Sequence, residues 1–211
     1  MQVRDDIYRF LESIPSEVTL VAATKYVDAS EIKTLYKNGV KNYGENRVDS
    51  FLMKYDSLKD YSDIKWHFIG HLQRNKAKEV INKIDYLHSL DSLKLAEIIE
   101  KERTTPLNVF VEVSINLEES KNGVPYYEVE DFIKSLSKYK KINLVGLMCM
   151  TIKVSDDKDN QFHKLKTLRD ELEKKLNIKL PCLSMGMSDD YLLAIKEGAT
   201  HIRLGRILFK E

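Results

Sequence analysis

The chain has 211 residues, 43% of them hydrophobic, with 34 Lys+Arg against 33 Asp+Glu and a net charge of +1. That length suits one large domain over residues 1–211 with enough apolar material to bury a core. The balanced charge offers no long-range field for nucleic acid or an anionic membrane, so any anion site must be local.

The two cysteines, Cys149 and Cys182, stand in or after the apolar runs VGLMC and LPCLSM. They read as small buried thiols of a reducing compartment. No apolar run approaches the ~20 residues that span a bilayer, and the expected location is cytoplasmic.

At the N-terminus, MQVRDDIYRFLESI is charged and amphipathic, which predicts an extra helix and no secretory leader. Eight short apolar, β-branched runs follow: Val18–Ala23, Val40–Tyr43, Trp66–Ile69, Tyr86–His88, Asn108–Val113, Leu144–Met148, Cys182–Met185 and His201–Leu204. The segments between them have helical spacing. Ile32, Leu35 and Tyr36 share a face, with Ser30 as a candidate cap and Gly39 at the C′ position. Phe162, Leu165, Leu168, Leu172 and Leu176 form a second stripe. A third helix is expected over Ser188–Gly198, with Leu192 and Ile195 facing inward. Asn116–Pro125 and Lys153–Asn160 read as polar loops.

Eight strands alternating with helices predict parallel crossovers closed into a (β/α)8 TIM barrel. An open doubly wound sheet is the alternative. The strand count favours the barrel, as does the missing Gly-rich dinucleotide fingerprint after the first strand. With ~250 residues typical of the fold, the connections must be tight.

In such a barrel the chemistry gathers at the C-terminal ends of the strands. The first strand delivers Lys25, a nucleophilic amine toward an aldehyde if burial desolvates it, and otherwise an ordinary solvated lysine. The second ends in Tyr43-Gly44-Glu45-Asn46-Arg47, where Asn46 is a ligand or a helix cap and Arg47 an anion clamp. The third ends in a donor-rich run, Gly70–Lys76. His67 reads as a satisfied core histidine and His71 as better placed for a site. His88, His163 and His201 look scattered, and no pair has metal-ligand spacing, so no metal is expected.

The ends of the seventh and eighth strands carry Ser184-Met185-Gly186-Met187-Ser188 and Arg203-Leu204-Gly205-Arg206. Gly186 would let the backbone approach a ligand, and Ser188 would cap the next helix. Barrels commonly bind phosphate here. Asp189 and Asp190 would repel it unless they point outward. A carbonyl compound carrying a phosphate fits a lysine and an anion cradle at one mouth. Pyridoxal phosphate and a phosphorylated sugar both meet that description.

Seven motifs in order make the choice sharper: LVAATK ending at Lys25, YGENR at Tyr43–Arg47, WHFIGHLQRNK at Trp66–Lys76, SKNG at Ser120–Gly123, GLM at Gly146–Met148, LSMGMSDD at Leu183–Asp190 and IRLGRILF at Ile202–Phe209. Together they resemble the pyridoxal phosphate homeostasis family, whose fold is similar to the barrel of alanine racemase. The resemblance implies a Schiff base between Lys25 and pyridoxal 5'-phosphate. It also implies a phosphate held by Ser184, the turn Gly186-Met187-Ser188, Arg203, Gly205 and Arg206, with Asn46 lining the pocket. Arg47, His71 and the ending Lys210-Glu211 depart from the family pattern.

The family likeness further implies a non-enzymatic role in vitamin B6 and amino-acid homeostasis, with apo-enzymes as recipients of the cofactor. An amino-acid racemase is the alternative. It needs acid/base groups on both faces of the substrate, for which Tyr26 and Tyr43 are candidates that no context marks. Without a large apolar surface stripe, a monomer is expected.

Overall fold

The computed structural model of the chain describes residues 1–115, 122–150 and 161–210. The predicted loop 153–160, most of the loop 116–125, the Ser120-Lys121 half of the SKNG motif and Glu211 lie outside them.

The strands are β1 (Thr19–Ala23), β2 (Asn42–Glu45), β3 (Lys65–Phe68), β4 (Tyr86–Leu90), β5 (Leu107–Ser114), β6 (Val124–Pro125), β7 (Ile142–Met148), β8 (Cys182–Ser184) and β9 (His201–Leu204). All but β6 form one parallel ring, β1-β2-β3-β4-β5-β7-β8-β9, which closes through the β9–β1 pairing. The two-residue β6 adds to β5 in a ladder of its own. The eight predicted runs coincide with the eight ring strands, and the barrel, not the open sheet, is the fold.

Around the ring run α1 (Ile7–Glu12), α2 (Ala29–Lys37), α3 (Val48–Ser57), α4 (Arg74–Val80), α5 (Leu93–Glu102), α6 (Val129–Leu136), α7 (Gln161–Leu176) and α8 (Tyr191–Lys196). Strands covered by helices on one side and filled on the other read as near-continuous apolar runs. In β5, Val109, Val111 and Val113 join the main apolar core. Phe110, between them, meets the rings of His88 and His201 inside the barrel. Alternation then puts Glu112 on that inner face as well. The barrel closes tightly at β7–β8, where a Cβ on Gly146 would come within 1.8 Å of the Cys182 carbonyl oxygen.

Several local expectations need correction. Helix α2 is capped at Asp28, whose N–H donates to Glu31 Oε2 at 2.9 Å, so Ser30 lies inside the helix and is not its cap. Gly39 does take the left-handed conformation (φ 95°) just past the helix. Helix α3 is capped at Arg47, not Asn46. Helix α8 begins only at Tyr191 and is capped at Asp190, not Ser188. That shift puts Ala194 on the buried face and leaves Leu192 68% exposed, against the expectation that Leu192 faces inward; Ile195 packs partly buried against the core. The α7 stripe is buried through Leu172, and Leu176 packs at its edge.

Candidate functional site at the barrel mouth

A cavity of about 560 Å³ opens where the C-terminal ends of β1, β2, β3 and β9 meet the loops after β7 and β8. Its lining includes Lys25, Asn46, Met187, Ser188, Arg203, Gly205 and Arg206, seven of the nine residues singled out from sequence. Ser184 and Gly186 are not among them.

Lys25 stands two residues after β1 and is exposed, so of the two readings the sequence left open its amine is the solvated one. Its Nζ rests 4.5 Å from the centre of the Tyr26 ring, a cation–π contact. The backbone under it is fixed from behind. Lys54 of α3, 4% exposed, donates to the Thr24 carbonyl at 2.6 Å and to Glu45 Oε1 at 2.5 Å. The Thr24 hydroxyl donates to the same carboxylate oxygen at 2.5 Å. Glu45 Oε2 and Asn46 Oδ1 are both buried without a hydrogen-bond partner. The Glu45 orphan lies behind the site; the Asn46 orphan belongs to a residue of the cavity wall.

The floor is shaped by two glycines. A Cβ on Gly70 would stand 2.5 Å from the Asn46 carbonyl oxygen, and one on Gly44 would meet Ile69 and Val21 at 3.0 Å. No side chain can rise from either place.

Across the mouth, Arg203 is 4% exposed. Its Nη1 donates to Ser184 Oγ at 2.6 Å, and its Nη2 donates to the Cys149 carbonyl at 2.8 Å and contacts Met150 Sδ at 3.3 Å. Burial pushes its pKa down from the usual value. Among the described residues it has no carboxylate within ion-pair distance. Buried charges are normally paired, and this guanidinium is held by neutral partners only.

The turn after β8 differs in detail from the sequence reading. Ser184 is fully buried beneath the cavity, bonded to Arg203 and His88. Gly186 (φ 92°) serves packing: a Cβ there would strike Ala194 of α8 at 2.5 Å. Ser188 Oγ accepts from the N–H groups of Gly205 and Ile207 at 3.3 and 3.4 Å. Asp189 and Asp190 do not simply point outward. Asp189 lines the cavity and pairs with Arg206 at 2.6 Å, while Asp190 Oδ1 accepts from the Met187 N–H at 2.6 Å. Arg47 is exposed and absent from the cavity lining, and His71 pairs with Asp91 at 3.2 Å in a neighbouring surface concavity.

Two features went unread in the sequence. His88 and His201 are not scattered: with His67 they gather inside the barrel, their ring centres 5.1–6.2 Å apart. Burial lowers the pKa of all three, to about 4 for His201, so they are neutral at pH 7. Glu112, also inward, has its carboxyl raised to about 7 by burial and by the nearby charge of Asp91, with Arg203 opposing. A glutamate within the apolar run NVFVEVS was the available signal. No group of three or more His, Cys, Asp or Glu placed to hold a metal occurs among the described residues, and no described helix is long and apolar enough to cross a membrane.

The profile described as alanine racemase, N-terminal domain, matches residues 6–211. A pyridoxal phosphate homeostasis protein of Aquifex aeolicus is 42% identical over 197 residues, 91% of this chain and 86% of that one. PipY of Synechococcus elongatus, solved with PLP bound, superposes with a TM-score of 0.88 at 31% identity, over 97% of this chain and 100% of that one. Alanine racemase of Corynebacterium glutamicum shares the fold at TM-score 0.75 and 15% identity, over 94% of this chain but 58% of the racemase. By its sequence along nearly the whole chain, and by a barrel whose mouth joins a lysine to a buried arginine, this protein belongs to the pyridoxal phosphate homeostasis family.

Proposed function

We propose that the chain acts over residues 1–211 as one unit that binds pyridoxal 5'-phosphate at the barrel mouth and serves intracellular vitamin B6 and amino-acid homeostasis. The observation that carries this reading is a single cavity shared by an exposed amine and a buried guanidinium without a carboxylate partner among the described residues. The residues present fit the cofactor. Gly44 and Gly70 leave the floor free of side chains for a planar ring, and the orphaned Asn46 Oδ1 offers an acceptor.

In this reading Lys25 holds the cofactor covalently as a Schiff base, its amine condensing with the aldehyde and releasing one water. Arg203, Ser188, Met187, Gly205 and Arg206 supply the donors for its anionic and polar groups. Ser184 acts on Arg203 from beneath. Once bound, the cofactor supplies an electrophilic carbon and an electron-withdrawing ring. The chain's own part is to position and retain it.

We favour holding and delivery over turnover. Tyr26 lies beside Lys25 and not opposite it, and the Tyr43 hydroxyl is buried in the outer layer, bonded to the Val40 and Ile32 carbonyls. Neither offers an acid/base group on the second face of a substrate. Apo-enzymes that use the cofactor are the proposed recipients, a monomer the proposed state and the cytoplasm the proposed location.

Incubation with pyridoxal phosphate, borohydride reduction and peptide mapping test the site, and the label is expected on Lys25. A label elsewhere, or none, overturns the reading. Transfer to a defined apo-enzyme in the presence of a trap for free cofactor tests delivery. Rapid racemisation in a panel of L-amino acids would instead establish an enzyme.

A further inference from the structure

The barrel interior beneath the site is polar along one line. Asn42 Oδ1 at the start of β2 lies 3.0 Å from His67 Nε2. His67 Nδ1 lies 2.9 Å from His88 Nε2, and His88 Nδ1 lies 2.8 Å from Ser184 Oγ. Ser184 Oγ in turn accepts from Arg203 in the cavity wall. His67, His88 and Ser184 are fully buried. Stacking holds the ring planes, with His67 parallel to Tyr86 at 4.5 Å and His88 over Phe110 at 4.4 Å.

We propose that Asn42, His67, His88 and Ser184 form a one-directional hydrogen-bond relay that holds the Arg203 guanidinium toward the cavity, and that His88 is a positioning residue for the anion bound there. The proposal rests, in its second half only, on the cofactor reading above.

The direction follows from donor and acceptor inventories. Arg203 has only donors, so Ser184 Oγ must accept from it. The hydroxyl hydrogen of Ser184 is then satisfied only by His88 Nδ1, which must be unprotonated. A neutral His88 carries its proton on Nε2 and donates to His67 Nδ1. His67 therefore carries its own proton on Nε2 and donates to Asn42 Oδ1. Both ends of the chain demand the same sense. The opposite sense, with the Asn42 amide turned over, strands the Ser184 hydroxyl hydrogen in the core, and a buried donor left unpaired is costly.

The consequence concerns Arg203. A serine that spends its hydrogen elsewhere presents its lone pairs to the guanidinium, and successive bonds polarise one another. The arginine is thus fixed by neutral hydrogen-bond partners, with Glu112 and Asp190 near it but outside ion-pair distance. A carboxylate in the place of Ser184 would have neutralised it.

Two measurements test this. Nitrogen-15 NMR of the imidazoles in cofactor-free protein at pH 7 should show both His67 and His88 as neutral Nε2–H tautomers. An Nδ1–H tautomer or a charged ring at either position overturns the relay. This readout needs no cofactor, so it stands even if the cofactor reading fails. For the positioning role, His88→Leu should weaken binding of pyridoxal phosphate by roughly tenfold, the size of one hydrogen bond in a charge-assisted chain. His88→Asn, whose amide oxygen can accept in place of Nδ1, should restore binding to within about threefold. Equal binding by His88→Leu, or no rescue by Asn, overturns the role. Should the leucine variant not fold, Asn42→Ala at the far end of the line replaces it. There unchanged Nε2–H tautomers, because the Arg203 end alone sets the sense, and a twofold to threefold loss of binding (about one weak hydrogen bond) are expected, and an Nδ1–H tautomer at His88 or unchanged binding counts against the relay.

Discussion

The two walls of the mouth are built on opposite plans. On the β1 side Lys25 is exposed and rests against the ring of Tyr26, while the backbone beneath it is bound down by Lys54 and Thr24. On the β9 side the backbone of Arg203 is an ordinary strand, and its side chain is buried under three contacts. A nucleophile that must meet and release a carbonyl gains from a free side chain on a fixed base. An anion receptor gains from a side chain already in place, because no ordering cost remains when the ligand arrives. In the proposed function, the difference between the walls is a difference between reaction and retention.

The largest expected effect separates them outright. Lys25→Ala should abolish the borohydride-stable adduct, yet change folding stability by no more than about 0.5 kcal/mol, as for most surface substitutions. Arg203→Ala should leave Lys25 able to react while weakening retention by roughly 10- to 100-fold, since hydrogen bonds from a charged group are worth about 1.5–3 kcal/mol. The adduct is read by mass spectrometry and retention by equilibrium titration. Equal losses of adduct in the two variants would erase the comparison.

The next effect breaks the fixed base under Lys25. Lys54→Met leaves the Glu45 carboxylate in the interior without its cation, with one oxygen that already lacks a partner. Removing one member of a buried pair costs about 3–5 kcal/mol, to be read from urea unfolding. The double variant Glu45→Gln/Lys54→Met should recover most of that loss, because the stranded charge is gone. A double variant no better than the single one would mean that packing, not charge, sets the cost.

The residues of both walls were legible in the sequence, but the bonding beneath the second was not. LVAATK shows a strand and its terminal lysine because a strand buried on both faces leaves a near-continuous apolar run. The eight strands were readable for the same reason. Lys54 hid as one more lysine, though its place three residues after buried Phe51 puts it on the covered face of α3. The relay was harder to find. Asn42, His67, His88 and Ser184 come from four strands, and only barrel closure brings them into line; no local pattern encodes a contact between positions 88 and 184. Ser188 was misread as a cap, and Asn46 was left open between cap and pocket, for a local reason. Both are good capping residues next to a helix, but the Ser188 hydroxyl bonds to Gly205 and Ile207 instead, and Asn46 stands in the cavity wall.

Glu112 sharpens the comparison from the inside. Its carboxyl faces Arg203 from β5, with Asp91 after β4 and Cys149 after β7 nearby, and is raised from 4.5 to about 7. A carboxyl with a raised folded pKa binds more protons folded than unfolded between those values, so its contribution to stability is lost as pH rises from 4.5 to 7. The loss is on the order of 3 kcal/mol and is complete above that window. Glu112→Gln should therefore match the wild type near pH 5 and exceed it near pH 8, as read by urea unfolding at the two pH values. The buried histidines act in the opposite sense. Their folded pKa is depressed, so stability falls as pH drops below about 6.5, and Glu112→Gln should leave that acid limb unchanged. A difference from wild type that is the same at both pH values would place Glu112 in water.

The smallest effect concerns Arg206, the other cation of the β9 side. It is 70% exposed and already paired with Asp189, itself 59% exposed. An exposed pair of this kind contributes about 0–1 kcal/mol to folding, so Arg206→Ala should scarcely move the unfolding midpoint. For the same reason its hold on an anion is screened by salt, whereas that of buried Arg203 is not. Removing Arg206 should weaken retention of pyridoxal phosphate by no more than about fivefold in dilute buffer, the worth of one exposed contact. The difference from wild type should disappear at high ionic strength, while the Arg203→Ala deficit persists. Titrations of both variants at low and high salt read this directly. An Arg206 deficit as large and as salt-resistant as that of Arg203 would shift the anion site from the barrel wall to its rim.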